Sequence, residues 1–172
     1  MTIDLGENEL SNLPVGIFQN LPEVFFLSLD NNQLTSLPNG IFDNVYGAWY
    51  ALMLNNNQLT TLPNGIFDNL RGFAYLTLND NQLTSLPIGM FDTIDELHLL
   101  DLSNNRLTSL PSNIFDTVEN NGNSANINLD YNCIDTSINF SSPPMLTNGD
   151  RKTEQRVCPI ISYAPPAPTL TP

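Results

Sequence analysis

Basic residues and histidine are scarce in this chain. Only 5 of its 172 residues are Lys or Arg, against 18 that are Asp or Glu, and residues 1–150 hold just two bases, Arg71 and Arg106. Nucleic-acid binding requires a basic patch that displaces counterions from phosphates, so the sequence disfavours a nucleic-acid partner. The single histidine, His98, has neither a second histidine nor a nearby cysteine with which to build a metal cluster or a nucleophile pair. We therefore expect a protein that is not an enzyme and that needs no metal or other cofactor.

Long apolar runs are also missing. No stretch reaches the roughly 18 consecutive apolar residues that a membrane-spanning helix needs. The first residues, MTIDLGENELSNLP, contain neither the basic region nor the apolar region of a secretory signal. We expect no membrane insertion by this segment, and any export signal or anchor would lie outside the sequence given.

One short pattern recurs along most of the chain. Its first five copies read IDLGENELSNLPVGIF, LSLDNNQLTSLPNGIF, LMLNNNQLTTLPNGIF, LTLNDNQLTSLPIGMF and LDLSNNRLTSLPSNIF, and a degenerate sixth reads INLDYNCI. Each copy contains one aligned asparagine, and these asparagines follow each other at spacings of 24, 25, 24, 24 and 27 residues. They are Asn8, Asn32, Asn57, Asn81, Asn105 and Asn132. A fixed period of this length is the signature of a repeat protein whose units stack into a solenoid.

The chemistry of one copy, residues 27–42, explains why the copies stack. Leu27 and Leu29 alternate with polar residues, as in a half-buried strand. Asn32 follows, where its side chain can satisfy backbone groups that a tight turn leaves unpaired. Pro38 then ends regular pairing, and Phe42 returns to the core along the outer side. Because no single copy can bury its apolar residues alone, we expect a ladder of parallel strands about 4.8 Å apart.

The pattern LxxLxLxxNxLxxLPxxxFxxL resembles the 24-residue "typical" class of leucine-rich repeats. The segment QLTSLPNGIF is similar to repeats of lamprey variable lymphocyte receptors, of Toll-like receptor ectodomains and of related microbial proteins. The resemblance covers roughly residues 2–134. It implies an α/β solenoid shaped as a horseshoe, with a parallel sheet on the concave face, irregular or short helical segments on the convex face, and ligand recognition on the concave face. The cysteine-bearing caps of the vertebrate receptors are not found in this sequence, which favours a bacterial or protist surface protein.

The chain is expected to divide into three parts. Residues 1–134 form the solenoid of about five to six repeats, residues 135–163 a C-terminal cap without the repeat pattern, and residues 164–172 a linker rich in Pro and Thr. The sequon at Asn139 in the cap is a possible glycosylation site, which has meaning only in a eukaryotic secretory pathway.

The two cysteines, Cys133 and Cys158, both fall at or in the predicted cap. A disulfide between them would pin the cap over the last repeat, and the alternative is two unrelated buried thiols. A disulfide indicates an oxidising compartment, so we expect an extracellular or cell-surface location.

Candidate ligand-binding residues follow from the strand pattern. Side chains alternate along each strand, so the residues between the buried leucines are expected on the concave side. Phe26, Met53, Tyr75 and Leu99 are predicted to form an apolar strip flanked by carboxylates and amides, which is typical of a binding surface. The alternative, that this strip only packs neighbouring repeats together, stays open. The full predicted set is Phe26, Ser28, Asp30, Ala51, Met53, Asn55, Tyr75, Thr77, Asn79, Asp80, Leu99, Asp101 and Ser103.

Two functions are compatible with these features. The first is a recognition or adhesion module that binds a protein or a glycan on the concave face. The second is a structural subunit that self-associates end to end into a filament or surface layer. The second rests on the first repeat, whose apolar residues have no visible cover in the sequence: Ile3, Leu5, Leu10, Leu13 and Phe18.

Overall fold

The computed structural model describes residues 1–134 except residues 22, 46–47, 95 and 121–124. In this part of the chain, six strands form one sheet in chain order, and each strand pairs in parallel with the next. The strands are β1 (Thr2–Asp4), β2 (Phe26–Ser28), β3 (Ala48–Met53), β4 (Arg71–Thr77), β5 (Leu99–Asp101) and β6 (Asn126–Asn128). The predicted solenoid with a parallel sheet is confirmed. The predicted cap and linker, with Cys158 and Asn139, lie outside the described residues.

The strand register aligns equivalent positions of every repeat. We call one repeat in the stack a rung. In β2 to β5 the residues Phe26, Ala51, Tyr75 and Leu99 are neighbours, and the next position aligns Leu27, Leu52, Leu76 and Leu100. The third repeat carries one extra residue, and the pairing of β3 with β4 shifts once, between Ala48 and Trp49. The shift lies before the aligned positions in both strands, so it does not disturb the alignment of those positions from rung to rung.

The repeat asparagines bind neighbouring rungs to one another. Oδ1 of Asn57 accepts a hydrogen bond from the backbone N–H of Leu34 at 3.0 Å, and Nδ2 donates to the carbonyl of Leu29 at 2.9 Å, both in the preceding rung. The same Nδ2 donates to the carbonyl of Leu54 in its own rung at 3.2 Å. The pattern recurs in every rung from the second to the sixth, and we call these residues the asparagine column: Asn32, Asn57, Asn81, Asn105 and Asn132. The sequence predicted the bonds to the local turn but not those between rungs.

The core is continuous along the stack. Leu27, Leu29 and Leu34 are completely buried, as are their equivalents in the third to fifth rungs. A column of phenylalanines runs behind them, with ring centroids 6.1 Å apart for Phe18 and Phe42 and 6.4 Å apart for Phe42 and Phe67. Stacked rings at this distance add to the free energy gained from burying their area. The apolar face of each rung is therefore buried only because its neighbours cover it.

The segments that return to the next strand on the convex side contain little regular structure. In the second rung the backbone N–H of Asp43 donates to the carbonyl of Gly40, and that of Val45 donates to the carbonyl of Phe42. Such bonds three residues apart make consecutive turns rather than an α-helix. Among the described residues, one segment is α-helical, the five-residue α1 (Asp116–Asn120). The predicted irregular or short helical convex segments are confirmed. No helix in the described ranges is long and apolar enough to cross a membrane.

Replacing Asn81 with Ala tests the asparagine column. The change leaves the backbone N–H of Leu59 and the carbonyls of Leu54 and Leu78 without the bonds they now make to the Asn81 side chain. Since an unsatisfied buried polar group costs about 1–3 kcal/mol, we expect the free energy of unfolding to fall by roughly 2–4 kcal/mol. Urea denaturation followed by circular dichroism measures this loss.

Asn8→Ala is the matched control. Asn8 is exposed, and its Nδ2 donates to the carbonyls of Leu5 and Gly6 within its own rung. Its loss should lower the free energy of unfolding by less than about 1 kcal/mol. Equal losses in the two variants would contradict the importance of the bonds between rungs.

Candidate recognition surface

The predicted binding residues lie side by side on the outward face of the sheet, which we call the concave face. Their exposure is uneven. Ala51, Ser28 and Ser103 are only 1%, 4% and 9% exposed, so they present little surface to a ligand. The remaining predicted residues are half-buried: Phe26, Asp30, Met53, Asn55, Tyr75, Thr77, Asn79, Asp80, Leu99 and Asp101. Their role in binding stays a prediction.

Polar side chains on the concave face are fixed by hydrogen bonds with one another. The Asp101 carboxylate accepts from both the backbone N–H of Ser103 at 2.9 Å and its hydroxyl at 2.7 Å. The Thr77 hydroxyl donates to Oδ1 of Asn55 in the preceding rung at 2.8 Å. Nδ2 of Asn79 donates to the carboxylate of Asp80 at 2.6 Å. This surface is therefore largely pre-organised before any ligand arrives.

A backbone constraint explains one polar column at the edge of this face. The residue before each repeat asparagine has a positive φ, between 53° and 58°. Asn and Asp tolerate this left-handed conformation better than other non-glycine residues. They occupy four of the six positions, Asn31, Asn56, Asp80 and Asn104, while Glu7 and Tyr131 occupy the positions at the two ends. The composition of this column, which includes the predicted site residue Asp80, thus has a cause that is independent of any ligand.

An exposed row of rings borders the concave face where the strands begin. Phe25 and Tyr50 stack with their centroids 5.1 Å apart and their planes 8° apart. Tyr50 in turn contacts Tyr75, at 5.1 Å and 58°, and Tyr75 contacts His98 edge-on at 6.4 Å. Phe25 and Tyr50 remain 51% and 44% exposed. We call Phe25, Tyr50, Tyr75 and His98 the aromatic ladder.

Sequence reasoning placed only one member of this ladder, Tyr75, in the site. Strict strand alternation puts Phe25, Tyr50 and His98 on the core side, since each lies two residues before a buried leucine. Phe25 and His98 lie immediately before β2 and β5, where alternation no longer holds. The signal that could have identified them is the repeat alignment, because three of the four positions of this column in the second to fifth rungs carry a ring. The fourth is Ala74, and Tyr75 from the neighbouring column contacts the rings on either side of it.

Tyr75 alters the pKa of its neighbour Tyr50 in the ladder. The side-chain hydrogen bond with Tyr75 raises the pKa of Tyr50, and the charge of an ionised Tyr75 raises it further. Tyr50 is therefore protonated at neutral pH.

The first three rungs form a pocket on the concave face, which we call the acidic pocket. Its volume is about 390 Å³. Carboxylates, polar groups and two apolar side chains surround it: Asp4, Gly6, Glu7, Phe26, Ser28, Asp30, Met53 and Asn55. Five of the predicted site residues, from β2 and β3 or the turns after them, line this pocket: Phe26, Ser28, Asp30, Met53 and Asn55. Asp4, Gly6 and Glu7, from the first rung, were not in the predicted set.

Within the described ranges, no group of three or more His, Cys, Asp or Glu side chains is placed to hold a metal ion. His98 is exposed, and its ring lies against Tyr75 rather than beside a nucleophile. The concave face and the aromatic ladder together form a pre-organised, acidic and partly aromatic surface.

Replacing Tyr75 with Phe tests the coupling in the ladder. Loss of the hydroxyl removes both the hydrogen bond and the charge that raise the pKa of Tyr50. We expect the pKa of Tyr50 to fall back toward the ordinary tyrosine value of about 10. An NMR titration of tyrosines labelled with ¹³C at Cζ measures it. Tyr131→Phe, remote in sequence at the sixth rung, is the control, and a Tyr50 titration unchanged by Tyr75→Phe would show that the pair is not coupled.

Comparison with known proteins agrees with the fold. Residues 50–107, which include β4 and β5, match the family model described as Leucine rich repeat. No curated protein matches the chain significantly. The finer resemblance to lymphocyte receptors, Toll-like receptors or microbial surface proteins stays a prediction. The match over residues 50–107, together with the asparagine column and the parallel solenoid, shows that the chain is similar to leucine-rich-repeat proteins.

Proposed function

We propose that this chain is a non-enzymatic recognition module that binds a protein partner across its concave face, with the aromatic ladder as the main contact. Leucine-rich repeats are commonly protein-interaction modules, which fits this role. The observation that carries the proposal is the ladder itself, a row of three exposed rings and the half-buried Tyr75 beside a polar face. Large exposed apolar groups rimmed by polar ones mark interaction sites more often than they occur by chance.

The ladder has the composition of an interface hot spot. Tyrosine is enriched at such sites because it offers a large, stiff contact area together with a hydroxyl. Tyr50 is held between Phe25 and Tyr75, so it loses little further rotational freedom when a partner binds. The polar side chains that lie beyond the ladder are likewise fixed in advance by the bonds of Asp101 and Thr77. Pre-organisation of this kind lowers the entropic cost of association.

The geometry of the ladder favours a protein over a glycan. A sugar ring stacks on the open face of an aromatic ring. Phe25 and Tyr50 stack on each other with their planes 8° apart, so the surfaces through which they meet are not available to a sugar. Their edges and the tyrosine hydroxyls remain available to the side chains and backbone carbonyls of a protein. For the alternative predicted from the sequence, end-to-end self-assembly, the described residues contain no comparable contact or surface that favours it.

An extracellular or cell-surface location is part of the proposal and rests on the cysteines. If Cys133 and Cys158 form a disulfide, the chain must fold in an oxidising compartment. A non-reducing peptide map of the natively expressed protein should contain one linked fragment holding both cysteines. Two alkylated free thiols would remove the support for this location.

Removing the rings of the ladder tests the proposed function. Peptides selected from a random library displayed on phage against the intact chain serve as probes, and their affinities are measured by fluorescence anisotropy. We expect Tyr50→Ala combined with Tyr75→Ala to weaken binding at least about tenfold, since hot-spot side chains each contribute more than about 1–2 kcal/mol.

Ile88→Ala is the control for the loss of an exposed apolar side chain. Ile88 is 87% exposed and lies in a return segment between two strands, outside the sheet. Its replacement should leave the affinity unchanged. Peptides that bind the ladder variant as tightly as the original chain would reject the proposed surface.

A further inference from the structure

We propose that the acidic pocket receives a lysine or arginine side chain of the protein partner. This inference rests on the proposed function and names the chemistry of the residue that the concave face selects. It concerns a region beside the aromatic ladder, since Phe26 in the pocket directly follows Phe25 in the ladder. A partner segment that covers the ladder can therefore reach the pocket with a neighbouring side chain.

The charge of the pocket is complementary to a base. Asp4, Glu7 and Asp30 contribute three carboxylates, and none of the described residues that line the pocket is basic. The whole chain carries a formal charge of −13, so its field draws a cationic partner toward it from a distance. Such complementarity increases association rates and rejects acidic partners.

The apolar residues of the pocket match the rest of such a side chain. Lysine and arginine carry a hydrocarbon stem that is buried favourably against apolar surface while the charged end remains with polar groups. Phe26 and Met53, from adjacent strands, supply that apolar surface. The ring of Phe26 can also attract a cation placed over its face. A surface that attracted a cation by its charge alone would not require these two apolar side chains.

Glycine at position 6 keeps the pocket open. Its column in the other rungs holds polar residues, namely Asp30, Asn55, Asn79, Ser103 and Asp130. A Cβ placed on Gly6 would lie 2.7 Å from Oγ of Ser28, 2.8 Å from Oδ1 of Asp30 and 3.3 Å from Oδ1 of Asp4. These three oxygens therefore surround one small space that a side chain at position 6 would fill.

The oxygens around Gly6 suit a group with several N–H donors. A lysine ammonium has three donors and an arginine guanidinium has five, and neither has an acceptor. Ser28 already donates its hydroxyl proton to Asp30, and Asp4 accepts from the backbone N–H of Gly6 at 3.0 Å. The oxygens are thus oriented as acceptors with lone pairs to spare. A calcium ion needs about six to eight oxygen ligands, which is more than these three side chains provide.

Peptide selection on the intact chain tests the inference. Peptides are selected from the random phage-displayed library at low ionic strength and sequenced, and their affinities are measured by fluorescence anisotropy. We expect selected peptides to be enriched in Lys or Arg beside an apolar residue and depleted of Asp and Glu. Replacing that base with Gln in a synthetic peptide should weaken binding about tenfold or more, and raising the salt concentration should weaken binding of the unaltered peptide.

Two variants of the pocket and one control variant test whether the basic side chain binds in the acidic pocket. Asp4→Asn combined with Asp30→Asn removes two charges with little change of shape and should cost about tenfold in affinity. Gly6→Leu fills the pocket while keeping every carboxylate and should have a similar effect. Asp43→Asn combined with Asp92→Asn is the matched control, because it removes the same charge from exposed residues on the convex side and should change affinity by less than about twofold. Circular dichroism checks that each variant is folded.

The outcomes separate this inference from the proposed function. If the ladder variant loses binding but the pocket variants do not, the concave face binds a partner and the basic side chain is rejected. Selected peptides without Lys or Arg, or saturable calcium binding that the Asp4 and Asp30 replacements abolish, also overturn the inference. If neither set of variants changes the affinity, the proposed function and the inference both fail.

Discussion

The hydrogen bonds of the asparagine column hold each rung at a set position against the one before it. A carboxamide has both an acceptor and two donors, so one side chain can satisfy an N–H and carbonyls in two rungs at once. Asn57 does this with bonds of 3.0 Å and 2.9 Å to the preceding rung. An aspartate in its place would lack the donors. Because the same bonds recur in each successive rung, the strand register, the phenylalanine column and the concave face all depend on them.

Much of the fold follows from the sequence, because the asparagine spacing and the alternating leucines state the register directly. The alignment of Phe26, Ala51, Tyr75 and Leu99 could be read from these spacings, and the parallel pairing reproduces it. The site was less accessible to such reasoning. Strand alternation assigns Phe25, Tyr50 and His98 to the core side, but Phe25 and His98 precede β2 and β5. Tyr50 lies inside β3, directly after the irregular pairing between Ala48 and Trp49. Burial was also missed at Ala51, which pairs with Phe26 and Tyr75 of the neighbouring strands and is only 1% exposed.

Some positions of the repeat carry the same type of residue in most rungs, and there are two physical reasons for this. Leucines and phenylalanines repeat because each must fit the same space between two rungs, and a change of volume there affects both neighbours. The asparagines and aspartates with positive φ repeat for a backbone reason, as Asn31 and Asn56 illustrate. Positions under neither constraint are the ones that differ from rung to rung. They include the aromatic ladder and the residues of the acidic pocket other than Glu7, which lies in the column with positive φ.

Every contact between strands in the described ranges joins consecutive rungs. A further copy of about 24 residues inserted between two rungs would meet the same leucines, phenylalanines and carboxamide bonds that its neighbours already meet. Gene duplication within such a chain therefore lengthens the concave surface by a whole unit and leaves the existing units as they were. The number of copies therefore sets the size of the partner that this architecture can accommodate. Evolution can change that size by adding or losing copies, without redesigning any one of them.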